Sequence, residues 1–209
     1  MTASSVGWRL AAILLLVGCV GAGDPRLSTS YDVDGDRFNA EDRVLMSLIL
    51  NNVARISSTE HRLTLFSLTA GIDFRNEWNG EGYFSFSNEL DEIRTIPRDA
   101  FTSFHERNDY PVEVAELGLD AIVPSVDSAE LDRLFEGGNE QGWRSLRGKL
   151  GSPCELLTIS LPGYSVDLST AVVFLERSRG PFASEGWLIL LRRSDGGWEI
   201  QWSEIVVAS

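Results

Sequence analysis

Three aspartates alternate at Asp32, Asp34 and Asp36, with Asn39, Glu41 and Asp42 close behind. Alternating carboxylates place several hard oxygen donors around a short turn, which is what a calcium ion requires. The plainer alternative is an acidic turn feeding a helix N-terminus, where negative charge is favoured. The two histidines, His61 and His105, stand at a strand edge and on a candidate helix. A zinc site would have to gather both with distant carboxylates, because no HExxH or paired-cysteine spacing occurs. Acid–base chemistry would draw on carboxylate pairs such as Asp99 with Glu106, Glu113 with Glu116, or Glu89 with Asp91 and Glu92. With 31 acidic residues in the chain, however, a pair says little about a shared site. No Gly-x-Ser-x-Gly elbow marks a nucleophilic serine, and no glycine-rich loop marks a phosphate site. Cys154 follows Pro153 and precedes an apolar run, where a thiol is buried and inert. Trp78, Tyr83 and Phe84 stand in a polar stretch and could line a pocket or partner surface.

The elements that must position these groups follow from periodicity. Val44, Leu45, Leu48, Ile49, Val53 and Ile56 recur at three and four residues, predicting a helix over 40–56 with one buried face, capped by Asn39. Residues 61–68 alternate enough for a strand, and 72–95 read as a long loop or irregular hairpin. Pro97 can open a short helix through Phe101 and Phe104 to Glu106, and Ser128–Phe135 predicts another, ended by Gly137-Gly138. Four apolar runs then follow: 155–161, 170–176, 187–192 and 198–207. Ser194-Asp195-Gly196-Gly197 supplies a tight hairpin between the last two. In the final run Trp198, Ile200 and Trp202 alternate with Glu199, Gln201 and Ser203, predicting one apolar and one wet face. Together these predict an α+β domain, with an antiparallel meander packed on the N-terminal helix.

Residues 32–36 resemble the calcium loops of EF-hands and dockerins. They depart from that pattern at Arg37, where a glycine is expected, in the spacing to the closing acidic residue, and in lacking a second copy.

The N-terminus resembles a bacterial lipoprotein signal. Arg9 precedes an unbroken apolar run, Leu10–Val17, too short to cross a bilayer as a helix, which needs about 20 apolar residues. Leu16-Val17-Gly18-Cys19 then resembles a lipobox, implying cleavage between Gly18 and Cys19 and lipid attached to the Cys19 thiol. Cleavage after Gly21-Ala22-Gly23, as in an ordinary secretory signal, uses the same features. Val20 after the cysteine implies sorting to the outer membrane in a host that has one. The resulting organisation is a signal peptide over 1–18, a lipidated tether over 19–31 and a single α+β domain over 32–209. Removing residues 1–18 leaves 191 residues and, with the loss of Arg9, takes the net charge from −13 to −14. That charge disfavours nucleic acid and anionic lipid surfaces as partners. With Cys19 committed to lipid, Cys154 has no partner for an intramolecular disulfide.

Residues 128–203 resemble a group of exported bacterial proteins. The matching stretches are Glu130-Leu131 with Leu134-Phe135, Gly142-Trp143, Ser152-Pro153, Ser160-Leu161-Pro162-Gly163-Tyr164, Ala171-Val172-Val173-Phe174, Gly180-Pro181, Gly186, and Leu191 through Gly197-Trp198. Leu161 stands where that group carries a basic residue. The resemblance implies a cystatin-like or NTF2-like fold, a helix wrapped by a curved antiparallel sheet, and implies no activity. The reading that results is a lipid-anchored, non-catalytic binding or accessory domain in the bacterial cell envelope, with another envelope protein or a small ligand as partner and no cofactor. Two alternatives stay open: an enzyme using carboxylates with His61 or His105 in the sheet cavity, and a module stabilised by calcium on Asp32, Asp34 and Asp36.

Overall fold

The computed structural model describes residues 40–57, 62–66, 95–110, 112–119 and 121–208. Its first element is α1 (Ala40–Ile56), with Glu41 and Asp42 in the first turn and Arg55 in the last, the charge order that a helix dipole favours. The buried stripe is Leu45, Met46, Ile49 and Leu50, while Val44 and Ile56 are exposed. The sequence therefore located the helix but placed its apolar face about one position off.

The strands are β1 (Arg62–Phe66), β2 (Ser125–Val126), β3 (Cys154–Ile159), β4 (Gly163–Tyr164), β5 (Thr170–Gly180), β6 (Ala183–Ser194) and β7 (Gly197–Ala208). They form one mixed sheet in the order β2-β1-β3-β5-β6-β7, with β4 also paired to β5. The expected antiparallel meander is present in β5-β6-β7, and β3 joins β5 antiparallel. The curved antiparallel sheet that the resemblance implies is corrected by β1, which runs parallel to both β2 and β3 and makes the sheet mixed. These joins require long crossovers, and residues 127–153 between β2 and β3 carry two helices, α3 (Ser128–Phe135) and α4 (Asn139–Leu150). Asp127 caps α3, its carboxylate accepting from the N–H groups of Ala129 and Glu130.

Alternation along the strands divides the core between two faces. Leu65, Leu157, Ile159, Ala171, Val173, Ile189 and Leu191 meet α1 and the short 3₁₀ turn Val114–Leu117. The intervening residues Val172, Phe174, Leu188 and Leu190 meet Ala100, Phe101 and Phe104 of α2 (Arg98–Arg107). Cys154, Leu156 and Phe66 share that second face and meet α3 and α4 through Leu131, Trp143 and Leu146. Helices thus cover both faces, and residues 170–175 of β5 are buried without a break. This corrects the expectation of one helix on one side. Each fully buried aliphatic side chain contributes about 1.5–3 kcal/mol.

A register shift in β7 corrects a further expectation, the unbroken alternation from Trp198 to Trp202. Leu191 pairs with Ile200 and Leu190 with Trp202, so Gln201 is an extra residue in the strand. Trp198 and Ile200 therefore join the α1 face, whereas Trp202 joins the α2 face.

Candidate functional site

The ionisable groups gather at the end of the sheet where α1 begins. Asp42, in the first turn of α1, is fully buried, and a buried carboxylate must be paired. Arg107 at the end of α2 grips it with two hydrogen bonds, Nη1 to Oδ1 at 2.9 Å and Nη2 to Oδ2 at 2.7 Å. The Tyr164 hydroxyl in β4 donates to Oδ1 at 2.8 Å. Arg107 also donates to the Pro162 carbonyl oxygen at 2.6 Å and lies over the Tyr164 ring. Burial alone would lower the Arg107 pKa, but the hydrogen bond and charge of Asp42 outweigh it and raise the value. Tyr164 is pushed far above its ordinary value, first by burial and then by the Asp42 charge. Both side chains therefore keep their protons at neutral pH and act as donors.

Glu41, one residue earlier, faces the neighbouring strands. It accepts from the Trp198 indole N–H at 2.8 Å and from Arg193 at 2.9 Å, and Arg193 lies over the Trp198 ring. The Arg193 backbone N–H donates to the Ser169 carbonyl oxygen at 2.8 Å, joining this cluster to the β4–β5 loop.

That loop, Ser165–Ser169, borders an open trough of about 850 Å³. Asp99, Thr102 and Glu106 of α2 form one wall, and Tyr164, Val166 and Leu168 form the other. The loop carboxylate Asp167 is held down to about 2 by hydrogen bonds from the Ser165 hydroxyl and from Ser169. α2 lies close to β4 because residue 163 is glycine: a Cβ there would stand 2.2 Å from the Phe104 backbone nitrogen.

Two further polar groups are built into the fold. Glu155, 1% exposed, is paired with Arg177, whose Nη2 donates to Oε1 at 3.0 Å, and with Arg179 at 3.2 Å. Cys154 is buried and its thiol is raised by burial, consistent with the inert role expected for it.

Most of the residues singled out in the sequence lie outside the described residues: Gly18, Cys19, Asp32, Asp34, Asp36, His61, Trp78, Tyr83 and Phe84. His105 lies on α2 with its ring edge-on to Phe101, the centroids 4.8 Å apart, and is not among the residues lining the trough. Asp99 and Glu106 do share the trough. Asp42, read in the sequence as part of an acidic turn feeding a helix N-terminus, stands in the first turn of α1 and is the buried centre of a latch. No local signal distinguished it from Glu41, because its partners lie 65 and 122 residues away. Among the described residues no group of three or more His, Cys, Asp or Glu side chains is placed to hold a metal ion, and no helix is long and apolar enough to cross a membrane. Compared with family models, curated proteins and solved structures, the chain matches none.

Proposed function

We propose that the chain is a bacterial lipoprotein, held on a membrane of the cell envelope by lipid on Cys19, that presents a non-catalytic binding or accessory domain to another envelope protein or a small ligand. In a host with two membranes, Val20 after the lipidated cysteine favours the outer one. The anchor rests on Arg9, the apolar run Leu10–Val17 and Leu16-Val17-Gly18-Cys19.

One observation carries the binding half of the reading. The space between α1 and the sheet is filled by Leu45, Met46, Ile49, Leu50, Leu157 and Ile159, each at most 1% exposed, and the buried carboxylates beside it are tied to arginines. Such an interior leaves the outer surface as the place for recognition. The net charge of −13 makes nucleic acid a poor partner. The likeness to cystatin-like and NTF2-like folds belongs to the same proposal. It is supported by α1 against the β5-β6-β7 meander, while parallel β1 and the helices on the second face depart from it.

The test is fractionation of cells expressing the full chain and its Cys19→Ser variant. The wild-type protein is expected in the detergent-soluble membrane fraction, with the variant lost from it. Wild-type protein recovered from the soluble envelope fraction would overturn the proposal.

A further inference from the structure

Isolated exposed aliphatic residues are ordinary on protein surfaces, but Val166 and Leu168 differ in how they are held. Val166 is 88% and Leu168 50% exposed, two residues apart on the short β4–β5 loop. Around them the loop ties its polar groups to one another. Ser165 N–H donates to the Thr170 carbonyl oxygen, Thr170 N–H to the Ser165 hydroxyl, and Leu168 N–H to the Ser165 carbonyl oxygen. The Ser165 hydroxyl and Ser169 N–H both donate to Asp167 Oδ1, and Val166 N–H donates 2.8 Å to Asp99 Oδ2 on α2. Leu168 also takes a φ of 55°, left-handed backbone that a leucine rarely adopts, and among the described residues it is the only non-glycine residue to do so. Strain of this kind persists where the surroundings impose it, and it clusters at binding sites. The result is a loop preorganised by its own hydrogen bonds that holds two aliphatic side chains out to solvent, one on each side of the exposed Asp167.

The opposite wall is acidic. Asp99 and Glu106 are seven residues apart on α2, hence on one side of the helix, and both are exposed. Arg98 is the cation among the lining residues. Asp167 adds a carboxylate on the loop that stays ionised through the physiological range.

We infer that this trough is a docking site for a peptide segment of an envelope partner that carries an arginine or lysine beside an aliphatic side chain, the aliphatic group resting on Val166 and Leu168 and the cation facing Glu106 and Asp99. The inference rests on the binding reading and names its surface and the chemistry of its partner. Charge complementarity selects the occupant, since an acidic segment would meet two carboxylates and the net charge of −13.

The test uses the mature lipidated protein in phosphatidylcholine nanodiscs, with empty nanodiscs as the blank, and fluorescence anisotropy of three labelled pentapeptides: Leu-Arg-Leu-Arg-Leu, Ser-Arg-Ser-Arg-Ser and Leu-Glu-Leu-Glu-Leu. The first is expected to bind at least about tenfold more tightly than the other two. Its affinity is expected to fall at least about tenfold in the Val166→Ser/Leu168→Gly double variant and in Thr102→Trp, which fills the trough from an exposed helix position. In Glu106→Gln it is expected to fall about threefold and to lose part of its salt dependence. All these positions are exposed, so the variants retain the fold. Undiminished binding to the double variant and to Thr102→Trp would overturn the trough while leaving a binding domain in place. Binding of none of the three peptides at millimolar concentration would overturn the inference, with the anchor judged separately by fractionation.

Discussion

Asn108 pairs with Leu161 as a neighbouring strand would: its Nδ2 donates to the Leu161 carbonyl oxygen at 2.9 Å and its Oδ1 accepts from the Leu161 N–H at 2.8 Å. The pairing bridges the break between β3 and β4, where Pro162 has no N–H to offer. The same side chain donates to the Phe104 carbonyl oxygen at 2.8 Å, so it fixes the end of α2 to the sheet. Asn108→Ala leaves both Leu161 backbone groups buried without this partner. Urea denaturation is expected to show a loss of about 2–6 kcal/mol, at about 1–3 kcal/mol for each of the two unsatisfied groups. A loss within about 0.5 kcal/mol would mean that water or a shifted chain takes over both bonds.

The latch at Asp42 carries a graded expectation. Asp42→Ala strands Arg107 in a largely buried position and is expected to lower stability by about 3–5 kcal/mol. Tyr164→Phe removes one hydrogen bond and keeps the ring beneath Arg107, for a loss of about 0.5–1.5 kcal/mol. Replacing Asp42 and Arg107 together by apolar residues is expected to be milder than Asp42→Ala alone, because no charge is then left unpaired. Thermal unfolding of the three variants tests the order.

Two glycines mark contacts that tolerate no side chain. Gly163→Ala would drive a methyl group into the Phe104 backbone, and Gly142→Ala would drive one to 2.3 Å from the Phe135 ring. Gly163→Ala is expected to lower stability by about 1–3 kcal/mol or more, since helix backbone cannot turn aside. The Phe135 ring can rotate, so Gly142→Ala is expected to be the milder of the two. Equal urea midpoints for wild type and Gly163→Ala would show that α2 moves freely off β4.

His105 links stability to pH. Burial lowers its pKa below the ordinary 6.5, against the opposing charge of Asp109. The folded state therefore prefers the neutral ring, and the unfolded chain binds the proton more readily. The stabilisation is complete above the unfolded pKa of about 6.5 and is lost as pH falls through the lower folded value. Unfolding free energies measured between pH 7.5 and 5 are expected to fall less steeply in His105→Gln than in the wild type. Identical slopes would remove His105 as a source of the dependence.

What was legible in the sequence follows from how local each signal is. The helix Ala40–Ile56, the C-terminal strands and the Asp195-Gly196 turn announced themselves because periodicity and turn chemistry are properties of neighbouring residues. α4 did not, because Gly142 and Gly148 interrupt Asn139–Leu150, and the reason for Gly142 is the Phe135 ring on another helix. Parallel pairing of β1 with β3 joins residues about 90 apart and leaves no local trace. The β7 register shift that sends Trp202 to the opposite face from Ile200 is likewise set by β6. The candidate site divides in the same way. Asp99 and Glu106 could be paired by helical spacing, whereas Val166 and Leu168 gain their meaning only from a loop conformation, and Asp42 only from Arg107 and Tyr164.

Whether this domain is carried on a lipid at Cys19 is decided by the mass of the mature N-terminal peptide. Protein extracted from membranes in detergent is digested, and the N-terminal fragment is analysed by mass spectrometry. The expected fragment begins at Cys19 and carries a diacylglyceryl group on the thiol. An unmodified fragment beginning at Asp24, after Gly21-Ala22-Gly23, would rule out the lipid anchor and make the protein a secreted, unanchored domain.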